Sequence, residues 1–212
     1  MITNKLPRKI AIFPLSDAIF FPETILPLNI FEKKYVQLVE DCMKNNRLFG
    51  MVQPKLGSAL KKEVYKVGCL GKIVSFNETE DRRFIISLLG VTRFRIDEEL
   101  RTTKLYREFN VDYSDFIQDL NTPKKKEKDF KEKHLINRIK LFLKKKNYLI
   151  KFDELDKLTI DQLINTTCMM LPFSSEEKQK LIEIIDRKEK INTLEEIINI
   201  NLVDDFENKT VQ

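Results

Sequence analysis

The residues of this 212-residue chain that could act as nucleophiles or metal ligands are few and scattered. His134 is the only histidine and lies among lysines, so neither a histidine-rich metal site nor a Ser-His-Asp triad is indicated. Cys42, Cys69 and Cys168 are too far apart for a CxxC zinc motif, and their odd number favours a reducing compartment, the cytoplasm. The Gly71-Lys72 pair lacks the earlier glycine of a phosphate-binding loop. The sequence therefore predicts no catalytic residue, metal site or cofactor.

Positive charge is concentrated in the segment 123–151, which holds twelve lysines and arginines against three acidic residues. The whole chain has a net charge of only +5, so its basic character is local. Such a segment can attract an anionic partner, although a charge run is more often a solvated helix face. Its aromatic residues are limited to Phe130, Phe142 and Tyr148, which is poor material for stacking on single-stranded nucleic acid.

The elements that position these residues change character along the chain. Residues 8–113 contain short β-rich or alternating runs separated by turn residues, a pattern typical of strands. The predicted strands are 9–13, 48–52, 67–76, 83–89, 91–96 and 105–113. The polar segment 77–82 between two of these runs predicts a hairpin.

One helix is predicted to interrupt the strands. Asn29 and Glu32 have the spacing of a capping box, which places the start of the helix there. An apolar stripe at helical spacing follows and is expected to face the core: Phe31, Tyr35, Leu38, Val39 and Cys42.

The second half of the chain is predicted to be helical. Three capping boxes mark helix starts: Thr159 with Gln162, Ser174 with Glu177, and Thr193 with Glu196. The resulting domain prediction is a β-rich subdomain over 1–120, a helical bundle over 121–203 and a flexible tail over 204–212.

Several motifs, in order along the chain, are similar to those of a known family. Residues 13–22 read FPLSDAIFFP, and residues 26–32 read LPLNIFE, followed by Tyr35. Later segments are RLFG at 47–50, VGCLGKI at 67–73, GVTRFRI at 90–96 and PFSSEEKQKLI at 172–182. Together these motifs, which span about residues 6–200, resemble the amino-terminal, substrate-binding domain of Lon protease. The chain looks like a free-standing, bacterial form of that domain.

This resemblance implies an α+β fold: a PUA-like β pseudo-barrel with one inserted helix, followed by a C-terminal helical bundle. Lon continues into an ATPase module and a Ser-Lys protease module, which a chain of this length is not expected to contain. The implied function is a non-enzymatic module that binds unfolded or client polypeptides, with a protease or chaperone as a further partner. RNA binding through the segment 123–151 is the alternative, and no membrane contact is expected.

Polypeptide recognition requires exposed apolar side chains, because unfolded chains are recognised through their apolar residues. The densest apolar segment near a turn supplies the predicted substrate-binding residues: Ile19, Phe20, Phe21, Pro22 and Ile25. The alternative is that Phe20 and Phe21 point in opposite directions and that one of them fills the core.

The most recognisable motif residues are expected to be structural. Asp17 is suited to accept hydrogen bonds in a turn, Glu32 to cap a helix, and Tyr35 to pack with its polar tip outward. The residues expected to be structural are Pro14, Asp17, Pro27, Phe31, Glu32, Tyr35, Gly50, Gly68, Gly90, Arg93 and Pro172.

Overall fold

The computed structural model describes residues 6–16, 18–55, 63–81, 83–121, 130–148, 155 and 157–207, with backbone alone for 130, 131 and 203–207. The chain divides into two compact units, Met1–Asn121 and Thr122–Gln212. Asp17 lies outside the described residues, so its predicted role in a turn stays a prediction.

The described residues of the first unit form six strands and one α-helix. The strands are β1 (Lys9–Pro14), β2 (Ile25–Ile30), β3 (Leu48–Val52), β4 (Val67–Glu78), β5 (Phe84–Leu100) and β6 (Arg107–Asp112). Helix α1 (Lys33–Met43) lies between β2 and β3, and a 3-10 helix, Ser114–Leu120, follows β6. The predicted hairpin is confirmed as β4 and β5, which pair antiparallel.

The strands form a closed pseudo-barrel, to which β2 is added as an edge strand. Their order is β2-β5-β4-β3-β1-β6, and β5 also pairs with β6, which closes a ring of five strands. Closure depends on the length of β5, whose 17 residues pair with β2 over 84–89 and with β6 over 95–100. The interior is filled by Ile10, Ile12, Val52, Leu70, Phe94, Ile96, Phe109, Val111 and Tyr113. The predicted α+β fold with a pseudo-barrel and one inserted helix is confirmed.

Two details of the first unit differ from the prediction. The two predicted strands 83–89 and 91–96 are parts of one continuous strand that begins at residue 84, and 25–30 form a strand that was not predicted. Pro27 is the reason that this strand was not predicted. Proline has no N–H to donate to a neighbouring strand, so it is tolerated only at the edge of a sheet, and β2 is an edge strand.

The start of helix α1 was also predicted wrongly. Asn29 lies in β2, and Glu32 is the N-cap residue, with no side-chain capping bond. The carboxylate of Glu32 instead lies 2.9 Å from Lys34 Nζ. Because the helix begins at Lys33, Phe31 is outside it and is exposed, whereas Leu38 and the residues after it on the stripe are buried as predicted.

The second unit consists of helices. They are α2 (Phe130–Lys145), α3 (Ile160–Met170), α4 (Ser175–Glu183) and α5 (Arg187–Glu207). The capping boxes of Thr159 with Gln162 and of Ser174 with Glu177 are confirmed, each by two reciprocal hydrogen bonds. Buried side chains between the helices include Leu135, Ile139, Phe142, Leu163, Ile164, Leu181, Leu194 and Ile198.

The third capping box is wrong, because Thr193 is buried inside α5. The Asp186 carboxylate accepts a hydrogen bond of 2.8 Å from Glu189 N, so this side chain caps the helix further upstream. Helix α5 also continues to Glu207, into the segment predicted to be a flexible tail, since no glycine or proline interrupts it. No helix among the described residues has the length and apolar character needed to cross a membrane.

Candidate functional site

The predicted binding segment at residues 19–22 is buried. Ile19, Phe20 and Pro22 are buried, and Phe21 is 0% exposed. The expected exposure is therefore wrong for these four residues, and both phenylalanines fill the core rather than one of them. Ile25 differs, because 57% of its surface is exposed.

A tight turn explains why this segment is drawn inward. The Thr24 hydroxyl donates a hydrogen bond of 2.7 Å to the Phe21 carbonyl. Glu23 N donates to Gly90 O at 3.0 Å, and Gly90 N donates to Thr24 O at 2.9 Å. These bonds hold the turn against β5, and the preceding phenylalanines are thereby packed into the core.

Ile25 belongs to an exposed face of three strands. Along β5, Phe84, Ile86 and Leu88 are buried, so Ile85, Ser87 and Leu89 point to the opposite side. Residues directly opposite one another in a ladder share a face, so the register extends this side onto β2 and β4. We call it the outer face; it consists of Ile25, Pro27 and Asn29 of β2, Ile85, Ser87 and Leu89 of β5, and Lys72, Ser75 and Asn77 of β4.

Large apolar side chains on and beside the outer face are exposed. Ile85 is 48% exposed, and Phe31, immediately after β2, is 65% exposed. Val74, the extra residue of a bulge in β4, is 49% exposed beside Ser75. Several large apolar side chains exposed on one side of a sheet make it a candidate interaction site.

Charge is confined to the margins of the outer face. Lys72 is its single charged residue and lies opposite Leu89 at one end. Beyond the other end, Arg83 Nε lies 2.7 Å from the Asp81 carboxylate. The Thr79 hydroxyl also bonds this carboxylate and holds the pKa of Asp81 below its usual range. The surface therefore offers apolar and neutral polar contacts with charged ends, which suits a ligand with uncharged apolar anchors.

Arg93, one of the residues expected to be structural, makes a buried ion pair with Asp119. Its Nε and Nη2 atoms each lie 2.9 Å from a carboxylate oxygen of Asp119, and its backbone N–H donates to the same group at 3.0 Å. The guanidinium also lies over the Phe116 ring, 4.4 Å from its centroid. This buried pair fixes the 3-10 helix against β5.

The motif glycines lie where neighbouring atoms leave no room for a Cβ atom. A Cβ atom at Gly68 would lie 2.3 Å from Met51 O, and one at Gly90 would lie 2.1 Å from Phe21 O. At Gly50 the nearest atoms would be the ends of side chains, beginning with Ile12 Cδ1 at 2.6 Å.

The other motif residues are also placed on structural elements. The Tyr35 ring stacks on Phe13 with centroids 4.0 Å apart, which packs α1 on the barrel. Pro14 ends β1, and Pro172 follows the end of α3. Within the motif at 172–182, Glu177 completes a capping box. Lys178 Nζ donates a hydrogen bond of 3.1 Å to Met169 O in the last turn of α3.

The basic segment is described only over α2 and the three residues after it. Lys133, Lys144 and Lys145 are exposed there. Glu132 is buried and accepts a hydrogen bond of 2.8 Å from Arg187 Nη2. Phe142 is buried and is not available for stacking. The exposed side of α2 is thus a lysine-rich face without exposed aromatic rings among its described side chains.

All three cysteines are buried, and none of them forms a disulfide bond. Burial raises the pKa of Cys42 to about 12 and that of Cys168 to about 11, so both thiols are protonated and unreactive at neutral pH. Within the part of the chain that the structure describes, no group of three or more His, Cys, Asp or Glu side chains is arranged to hold a metal ion.

The outer face was missed in the sequence, although β5 carries a signal for it. Residues 84–89 read FIISLL, with apolar residues at both odd and even positions. A strand that buries one face needs only alternate apolar residues, so Ile85 and Leu89 are in excess of what the core requires.

Comparisons with known proteins agree with this fold. Residues 9–199 match the family model of the ATP-dependent protease La (LON) substrate-binding domain. The Lon protease of Desulfosudis oleivorans is 25% identical over 94% of this chain, and that of Dictyoglomus thermophilum is 26% identical over 89%. The chain spans about a quarter of the length of these relatives, 25% and 24% respectively.

Solved structures show the same architecture. The Lon N-terminal domain protein from Xanthomonas campestris has a TM-score of 0.63 at 20% identity, covering 88% of this chain and 96% of its own. The N-terminal domain of Mycobacterium avium complex Lon protease has a TM-score of 0.64 at 15% identity, covering 90% and 98%. At these identities the likeness concerns the fold.

Proposed function

The chain belongs to the family of the ATP-dependent protease La (LON) substrate-binding domain, and on this basis we propose that it is a non-enzymatic module that binds polypeptides. The observation that carries the proposal is the outer face, where Ile25, Ile85 and the adjacent Phe31 are exposed. The absence of a catalytic motif in the sequence and the protonated, buried state of Cys42 and Cys168 support a binding role rather than catalysis.

The proposed partners are unfolded or client polypeptides, which are bound in the cytoplasm and passed to a protease or chaperone. Folded proteins bury most of their large apolar side chains, whereas an unfolded chain exposes them in short segments. Burial of apolar surface contributes about 25 cal/mol per Å², so a few contacts with half-exposed isoleucines give weak, reversible binding. Weak binding suits a module that must release its client.

Replacing both Ile25 and Ile85 by threonine is expected to lower the affinity for an unfolded polypeptide about tenfold or more, because apolar contact area is lost. Threonine keeps the β-branched shape that suits strands, so the fold is retained. The measurement is fluorescence anisotropy with labelled, reduced and alkylated α-lactalbumin, which stays unfolded without denaturant.

Leu105→Thr is the matched control, because Leu105 is 63% exposed but lies between β5 and β6, away from the outer face. This variant is expected to bind like the parent chain. Unchanged affinity in the double variant, or an equal loss in the control, would contradict the proposal that the outer face binds polypeptide.

RNA binding through the segment 123–151 is the second candidate, supported by the exposed lysines of α2, such as Lys133 and Lys144. The burial of Phe142 counts against it, since single strands need exposed rings on which to stack. A mobility-shift assay with mixed RNA is expected to show no complex at low salt. A complex whose affinity falls steeply with salt would favour RNA binding instead.

A further inference from the structure

On β2 and β5, the large apolar side chains of the outer face fall into two clusters. Ile25, which is exposed, and Leu89, which is half-buried, lie directly opposite each other and form the first cluster. Ile85, with Phe31 just past the end of β2, forms the second. Between the clusters, Ser87 of β5 is flanked by Ser75 and Pro27. The central strand thus presents a large apolar, a small polar and a large apolar residue in succession.

The two clusters are separated by a fixed distance along the strands. Leu89 and Ile85 are four residues apart on β5, and their partners Ile25 and Asn29 are four residues apart on β2. At about 3.4 Å per residue, this separation is about 13–14 Å. A ligand must span that distance to place one apolar side chain on each cluster.

We propose that the outer face selects extended polypeptide segments with large apolar residues at positions i and i+4 and a small or polar residue at i+2. In an extended segment these three side chains point to the same side, so i reaches the first cluster, i+2 lies over Ser87, and i+4 reaches the second cluster. This inference rests on the proposed function, because it defines which polypeptides the same face binds.

A helical ligand fits this surface less well. At 1.5 Å per residue, 13–14 Å corresponds to about nine residues, and residue i+9 points to the opposite side of a helix from residue i. The spacing that returns to the same side, i+7, spans only about 10.5 Å.

The selectivity comes from side-chain contacts and not from main-chain hydrogen bonds to the edge strand. Pro27 lies in the middle of the edge strand β2 and has no N–H, so a strand added to this edge would lack a donor there. A segment lying across the outer face needs no such donor.

The test uses the full chain and labelled peptides of about twelve residues, made of Gly, Ser and Asn with two leucines. The peptides differ only in the leucine spacing, at i+3, i+4 or i+7, and a single-leucine peptide is the reference. Anisotropy titrations are expected to show about tenfold tighter binding at i+4 than at i+3, because the i+3 leucine points away from the face.

Two variants test whether the second cluster causes the preference for the i+4 spacing over the i+3 spacing. Ile85→Thr is expected to abolish the difference between i+4 and i+3, whereas Leu105→Thr keeps the difference. Far-UV circular dichroism and a urea midpoint close to that of the parent chain show that the Ile85 variant is folded.

The outcomes separate this inference from the proposed function. If unfolded α-lactalbumin binds but all leucine spacings bind equally, the proposed function stands and the spacing rule is overturned. Tightest binding at i+7 also overturns it, in favour of helical ligands. If neither the peptides nor unfolded α-lactalbumin bind, the proposed function itself fails.

Discussion

The Asp119→Ala variant is expected to lose about 3–5 kcal/mol of the free energy of unfolding, because it leaves the Arg93 guanidinium buried without a counter-charge. In the parent chain both side chains are at least nine-tenths buried, and Asp119 accepts three hydrogen bonds from Arg93. The 3-10 helix loses this anchor, and its Phe116 side chain, which is fully buried, loses its fixed position. Urea unfolding followed by far-UV circular dichroism measures the loss.

The neighbouring pair of Arg95 and Asp115 provides the matched control. Arg95 Nε and Nη2 lie 2.9 Å and 2.8 Å from the Asp115 carboxylate, but both side chains are about two-fifths exposed. An exposed pair contributes only about 0–1 kcal/mol, so Asp115→Ala should be close to the parent chain in stability. Similar losses for Asp119→Ala and Asp115→Ala would show that burial of the first pair is not what makes it important.

Local features of the fold could be predicted from the sequence, because their physical basis lies within a few residues. The Thr159 and Ser174 capping boxes each depend on a partner three residues away, and both form as predicted. The third box failed for a local reason as well: Asp186 supplies an earlier cap, and Thr193 is left inside the helix.

Features that depend on pairing between distant segments could not be predicted in the same way. Arg93 and Asp119 are 26 residues apart, and no periodicity connects them. The outer face depends on the register of β2 against β5, which places Asn29 opposite Ile85 and Ile25 opposite Leu89. Because of Pro27, β2 was not predicted as a strand. The binding surface was therefore predicted on the adjacent segment 19–22, which is buried in the structure.

Gly90→Ala is expected to destabilise the chain by about 3 kcal/mol, since overpacking against rigid backbone cannot be relieved by side-chain movement. The added Cβ would lie 2.1 Å from Phe21 O and 2.9 Å from the Phe21 carbonyl carbon. Relief requires β5 and the turn to separate, which breaks the two backbone hydrogen bonds that Gly90 makes with Glu23 and Thr24. Phe20 and Phe21 would then lose their packing in the core. Urea unfolding measures the change in the free energy of unfolding.

Gly50→Ala separates this mechanism from a general intolerance of added volume. A Cβ at Gly50 would also be too close to its neighbours, but these are the Cδ1 atoms of Ile12 and Ile10 and the tip of the Phe94 ring. Such atoms can move by small side-chain rotations, so the expected loss is about 1 kcal/mol. If Gly50→Ala is as destabilising as Gly90→Ala, the backbone contact with Phe21 is not the reason for glycine at position 90. A clear difference between the two variants would instead assign to Gly90 the specific role of admitting the turn at residues 21–24, which holds the phenylalanines inside and leaves Ile25 at the surface.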